Sequence, residues 1–299
     1  MKNLLYYFSL MFGICFLLSC VPNQDGNGDF LIGVDYDPNT GNGGDPGTAP
    51  SKLLKTVTID DGDVLIYNYS YNANKKLTGI NTNDNSVKIN ITYQSSGNIA
   101  KITRTENGLD GVTGEEITPT YSGTQITKLD ITHTEGTGSI KSVANLTYGS
   151  NGWPSIVKEN YYAEGSTTQT VATIVSDFTY AGNNITKWHF NSSLNASLPV
   201  PVFDFLQEID LTVNLQDYDN KINPYNLLPK DFLIAVVHAE ADASSITGFA
   251  NNNAKTINFI LKLGGTPIED TQSATYIYDK DGYPVSTASS DIVTKFEYQ

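Results

Sequence analysis

The chain reads as an all-β protein: a single curved antiparallel meander sheet, open or barrel-like, with one short helical or loop insertion near 199–240. Three observations predict it. Short runs alternate apolar and polar residues with a period of two, the mark of a half-buried strand. Gly, Asn and Asp cluster between those runs, as turns require. And one unit recurs: a strand ending on tyrosine, a tight turn, then a strand of branched aliphatics.

The fullest copy is Asn145-Leu-Thr-Tyr148-Gly-Ser-Asn151-Gly152-Trp153-Pro154-Ser-Ile156-Val157. Asn-Gly between two strands predicts a type I′ hairpin turn at Asn151-Gly152. Looser copies are centred on Tyr69 and Tyr71, Tyr93, Tyr121, Tyr180 and Tyr278. The spacings Tyr69–Tyr93, Tyr93–Tyr121 and Tyr121–Tyr148 are 24, 28 and 27 residues. A period of that size means one supersecondary unit copied along the chain, none able to bury its apolar face alone.

The N-terminus carries a separate signal. Lys2 precedes an apolar run, Leu4–Leu18, that is shorter than the roughly 20 residues a spanning helix needs. The run ends Leu17-Leu18-Ser19-Cys20, which resembles a bacterial lipobox. Residues 1–19 are then a lipoprotein signal peptide and Cys20 the lipid anchor. Acyl chains on Cys20 would hold the protein to a membrane stably. Cleavage removes Cys15 and Lys2, which leaves no free thiol and takes the net charge from −14 to −15. Val21 after the cysteine favours, by likeness to lipoprotein sorting rules, the outer membrane; periplasmic and cell-surface faces are both open. Residues 20–50 are rich in Gly, Asn, Asp and Pro, a tether composition that supports no core. The island Phe30-Leu31-Ile32 and Val34 is its one apolar stretch.

Residues 51–299 form the β-repeat domain. Eleven strands are expected between Leu53 and Phe190 and four more from Thr256 to Tyr298. Between them, 194–250 breaks the rhythm with Pro199, Pro201, Pro224 and Pro229 and reads as an insertion, a plug or lid over one end or face of the sheet. Pro229-Lys-Asp-Phe232-Leu233-Ile234-Ala-Val236-Val237-His238-Ala suits a short helix with proline at its first turn.

At Tyr278-Asp279-Lys-Asp281-Gly282 the repeat resembles the YD (RHS-like) repeat. The whole of 54–299 resembles, more closely, a family of uncharacterised β-rich lipoproteins of Gram-negative bacteria with a porin-like fold. In that family a segment like Asp217-Tyr218-Asp219-Asn220-Lys221-Ile-Asn223-Pro224-Tyr225 interrupts the repeats before the last strands. The resemblance implies a fold and an envelope location, and no activity.

Composition narrows function. With 18 basic against 32 acidic residues, the chain lacks the clustered cations that nucleic acid demands. His133, His189 and His238 lie in three elements without metal-ligand spacing, and Asp279-Lys-Asp281-Gly282 and Asp60-Asp61-Gly62-Asp63 read as turns, not calcium loops. No nucleophile elbow or phosphate loop occurs, and none of the glutamates, Glu115 and Glu159 among them, sits in a recognisable catalytic context. No cofactor, metal or catalytic residue is expected. What remains is aromatic: 18 tyrosines, with Trp153, Trp188, Tyr161 and Tyr162 the candidates for ligand contact. The expected protein is thus a non-enzymatic, outer-membrane-anchored lipoprotein that binds a glycan or an envelope protein through an aromatic-rich sheet. A carrier of lipid or another apolar ligand inside the curved sheet is the alternative, and a structural adhesin-type subunit a third reading. Oligomeric state is not legible.

Overall fold

The computed structural model describes residues 52–108, 111–136, 138–195, 208–236, 246–262, 267–290 and 292–299. The signal peptide, Cys20 and the tether lie outside the described residues, as do Pro199, Pro201 and His238. In chain order the strands are β1 (Leu54–Asp60), β2 (Val64–Tyr71), β3 (Leu77–Thr82), β4 (Val87–Tyr93), β5 (Ile99–Gly108) and β6 (Gly111–Ser122). They continue with β7 (Gln125–Glu135), β8 (Gly138–Tyr148), β9 (Pro154–Tyr162), β10 (Thr170–Ala181), β11 (Asn184–Leu194) and β12 (Asp210–Gln216). The last are β13 (Thr256–Lys262), β14 (Ile268–Ser273), β15 (Thr275–Tyr278), β16 (Pro284–Ser289) and β17 (Ile292–Tyr298).

All 17 belong to one sheet. Neighbours in sequence are antiparallel neighbours in space, and β17 returns to β1, with Leu54 opposite Tyr298. The meander therefore closes into a barrel except at one seam, which removes most of the edge an open sheet would expose. The seam lies at β14 and β15, two parts of one bent run joined through Ala274: β14 pairs with β13, and β15 with β16.

Period-two alternation sends every second residue inward. One inward rung reads Ile102, Ile117, Ile131, Ser142, Tyr161, Ala172 across β5 to β10. A neighbouring outward rung reads Thr103, Glu116, Thr132, Lys141, Tyr162. Another reads Thr118, Asp130, Val143, Asn160, Thr173, Ser193. Aliphatics point in; threonine, asparagine and charge point out. The core sits inside the wall, and Ile99, Ile102, Ile117, Ile126, Leu129, Ile185 and Trp188 are fully buried there.

The recurring tyrosine has a structural reason. At the end of the barrel where the tight turns lie, seven tyrosine hydroxyls donate to a backbone carbonyl near the start of the preceding unit's return strand. Tyr71 reaches Leu54 O (2.9 Å), Tyr93 reaches Leu77 O (2.6 Å), Tyr148 reaches Ile126 O (2.6 Å) and Tyr180 reaches Pro154 O (2.8 Å). Tyr218 reaches Ile185 O, Tyr276 reaches Ala254 O (3.1 Å) and Tyr298 reaches Pro284 O (2.6 Å). Tyr121 instead accepts, from Ile99 N at 3.1 Å. The bonds run unit to unit round the rim and so stitch the repeats together. In five of these units a register shift falls just before the tyrosine, at Tyr71, Tyr93, Tyr121, Tyr148 and Tyr180. In four of them a hydroxyl on the return strand bonds back across that bulge: Thr78, Thr127, Ser155 and Thr186 donate to Ser70, Thr120, Thr147 and Thr179 O.

The turn at Asn151-Gly152 is not type I′. Gly149 N donates to Trp153 O and Gly152 N to Gly149 O, and of the two central candidates only Gly152 (φ +74°) is left-handed. This is a three-residue loop, a right-handed turn closed by one left-handed residue. The same loop recurs with Lys75, Gly97 and Gly282 in the left-handed position.

The insertion is narrower than 194–250. Leu211, Val213 and Leu215 alternate inward and make β12 a full member of the wall, paired with β11 and β13; the prolines upstream masked this alternation. What departs from the wall is the stretch between β12 and β13. Within it lie a 3-10 turn (Pro224–Leu227) and the expected helix, α1 (Lys230–Val236), whose Phe232, Leu233, Ile234 and Ala235 are buried.

Candidate functional site

Two places hold groups capable of more than packing. The first is the mouth that the tyrosine rim surrounds, which the insertion fills. Phe249 stacks on Trp153 (ring centroids 4.8 Å apart) and packs on Phe178 (5.5 Å), while Tyr225 meets Phe296 edge-on (5.9 Å). Lys230 lies over the Trp153 ring at 4.4 Å and donates to Gly152 O at 2.5 Å. The plug is pinned at both stems. Asp219 accepts from Lys221 N, Asn253 N and the Tyr278 hydroxyl, and Asn223 caps the 3-10 turn while donating to Thr247 O and Ala250 O.

Asp231 lies beside Tyr121, the odd member of the rim. Burial pushes the Asp231 pKa up, against the neighbouring Tyr121 hydroxyl and the Lys230 charge, and burial lowers that of Lys230. Burial likewise raises the phenol of Tyr71 to about 12.

The second place lies inside the wall. His133 Nδ1 is 2.9 Å from Glu115 Oε1, and its Nε2 is 3.0 Å from Ser142 Oγ and 3.4 Å from Glu159 Oε1. Ser142 donates to Glu159 Oε1 at 2.5 Å, and the Tyr161 ring stacks on the imidazole at 5.1 Å. Four adjacent strands, β6 to β9, supply these groups from inward rungs. Burial alone would push His133 down, yet its hydrogen bonds to Glu115 and Glu159 prevail and raise it to about 9. The order of contacts, serine to histidine to carboxylate, has the outline of a nucleophile–base–orienter chain. The proton bookkeeping runs otherwise. At neutral pH the ring is protonated and has no lone pair for serine, and the serine proton already goes to Glu159. The cluster stores a cation between two carboxylates and, with Ser142 only 1% exposed, keeps it from water.

Of the aromatic candidates, the structure buries three. Trp188 is fully buried against Phe190, Trp153 lies under the plug, and Tyr161 packs on His133. They do not come together at one surface, and a ligand arriving from solvent does not meet them. Tyr162 alone of the four faces outward, on the rung of Lys141 and Thr132. Cys20 lies outside the described residues. The His133 cluster escaped a reading based on linear motifs, because its members are brought together by register. A signal existed: each polar member lies two residues from a buried aliphatic on the same inward row, Glu115 beside Ile117, His133 beside Ile131 and Glu159 beside Val157. Among the described residues, no group of His, Cys, Asp and Glu has the arrangement to hold a metal.

No protein-family model matches the chain, and no curated protein matches it. Solved structures do. A porin-like protein from Bacteroides vulgatus shares 9% identity over 83% of this chain and 99% of its own, with a TM-score of 0.52. A second, from Bacteroides uniformis, is 14% identical over 85% of this chain and 100% of its own, at a TM-score of 0.47. The first likeness is one of fold: this chain is a barrel protein of the same general architecture.

Proposed function

We propose that this protein is a lipid-anchored barrel of the cell envelope that stands in water and binds a glycan or an envelope protein, without catalysing a reaction. The observation that carries the proposal is the polarity of the wall. A barrel that crosses a membrane turns apolar residues outward and polar ones in. Here the rows are reversed, with Lys101, Thr103, Glu116, Asp130 and Lys141 outside and aliphatics within. Placing those outward charges in hydrocarbon would cost about 2–4 kcal/mol for each lysine near the midplane. The body therefore belongs in solvent, and attachment falls to Cys20. The porin-like neighbour favours an envelope setting. With the large aromatics turned inward, recognition falls to the hydroxyl, amide and charged side chains of the outer wall and to the rim, a surface matched to sugar hydroxyls or a polar protein face.

Large buried side chains, Ile102, Leu129 and Trp188 among them, occupy the inward rows of β5–β12 and weigh against the carrier reading. The test has two arms. A Cys20→Ser protein should lose palmitate labelling and stay monodisperse without detergent; a need for detergent would sink the water-standing reading. Glycan arrays and pull-downs from envelope extract should yield a specific partner; blanks in both would overturn the binding reading.

A further inference from the structure

Among the described residues, the two seam strands, β14 and β15, are each paired on one side only. Along its whole length β14 bonds to β13, from Ser273 opposite Thr256 to Ile268 opposite Leu261. On the other side, β16 pairs with β15 alone, the last rung being Ala288 opposite Thr275, and ends at Ser289. β14 thus rises past the β16–β17 hairpin, and among the described residues no strand covers that flank. Ala274 N donates to Lys255 O at 2.8 Å, so even-numbered residues direct their backbone groups to β13. By the alternation of antiparallel ladders, the N–H and C=O of Glu269, Thr271 and Ser273 point away from it. An unpaired edge is a template for another strand, and natural proteins blunt such edges with proline, lysine or a bulge. Ile268-Glu-Asp-Thr-Gln-Ser273 has none of these three, and its only blunting charges are Glu269 and Asp270.

We propose that this edge pairs with the same edge of a second copy of the chain, antiparallel about a two-fold axis at Thr271. Two features favour a second copy. Centred on Thr271, all three edge-directed residues meet edge-directed partners, Thr271 with Thr271 and Glu269 with Ser273. On the inward face Asp270 meets Gln272 and Ile268 meets Ala274. Every acidic side chain thereby faces an uncharged one, whereas an axis at Asp270 would oppose two carboxylates, which cross-strand pairing penalises. Ile268, an outlying apolar residue 47% exposed at the tip of the strand, would also be covered. Each copy would supply the same edge to the other, as an isologous interface requires.

The test is disulfide trapping of the acylated protein in intact cells. A Thr271→Cys substitution places two thiols across the axis at roughly 5.5 Å between Cα atoms, within disulfide reach. Mild oxidation should give about tenfold more covalent dimer than Thr132→Cys, on the outer wall of β7. Adding Ser273→Pro, which removes an edge N–H that makes no hydrogen bond to β13, should return the dimer to the control level. The proposal is overturned by a Thr271→Cys yield equal to the control, by a dimer that survives Ser273→Pro, or by an adduct with a protein of different mass. A glycan or protein partner can fail to appear under the preceding test while this dimer forms, so the two readings fall separately.

Discussion

The two sides of the barrel are built from the same repeat and differ in height. From β5 to β11 the strands run 9 to 12 residues; from β16 through β4 they run 6 to 8. At about 3.4 Å per residue this is a wall of roughly 30–40 Å against one of 20–27 Å. On the tall side inward rungs are buried in succession, and the extra height holds the His133 cluster. On the low side Ile59, Leu65, Tyr67 and Thr294 point inward yet are only partly buried. Both sides share the tyrosine rim. The repeat fixes one end of the barrel; strand length beyond it decides how much interior each side owns.

The sharpest break in this comparison is a core truncation on each side. Trp188→Ala, in the tall wall, should cost about 3–5 kcal/mol in urea unfolding. Tyr67→Ala, in the low wall, should cost about half of that or less, in proportion to its smaller burial. Equal losses would show that both sides share one interior.

Next is the cation in the tall wall. The folded-state pKa of His133, about 9, lies above its ordinary value of 6.5. Its stabilising contribution is therefore fully present below pH 6.5 and disappears as pH rises through 9, a change of order 3 kcal/mol. His133→Gln should lose stability at pH 6 and match the wild type at pH 10, read from unfolding at both. A constant difference across that range would remove the charge from the account.

Smaller effects probe the shared rim. Tyr148→Phe and Tyr71→Phe each leave a carbonyl without its donor and should cost about 1–2 kcal/mol, the same on the tall and the low side. Smallest is a gain. Lys75 holds a left-handed conformation (φ +59°) where the matching loops carry Gly97, Gly152 and Gly282. Lys75→Gly should stabilise by about 0.5–1 kcal/mol, visible as a small rise in Tm.

Much of this fold was legible before any coordinates. Tyr93, Tyr121, Tyr148 and Tyr180 marked strand ends, and Ile99, Ile126 and Ile185 marked the return strands, because period-two patterning and turn residues act over a few neighbours. Pro229 announced α1 for the same local reason. β12 was hidden because its upstream prolines outweighed a short alternation. The turn at Gly152 was mistaken because a loop's length depends on the register of the strands it joins, which two residues do not specify. The aromatic candidates were selected by type, whereas facing is set by which side of the wall a residue's parity selects.

The sequence by itself determined the β-repeat, its inward and outward rows, the tyrosine at each strand end and the helix of the insertion. Each follows from steric and hydrophobic preferences acting within a hairpin. Only the tertiary structure decided that the last strand would meet the first, that Glu115, His133, Ser142 and Glu159 would converge, and that β14 would pair with β13 while β15 pairs with β16. These depend on the register summed around the whole barrel, and a sum over all the strands cannot be read from any one of them.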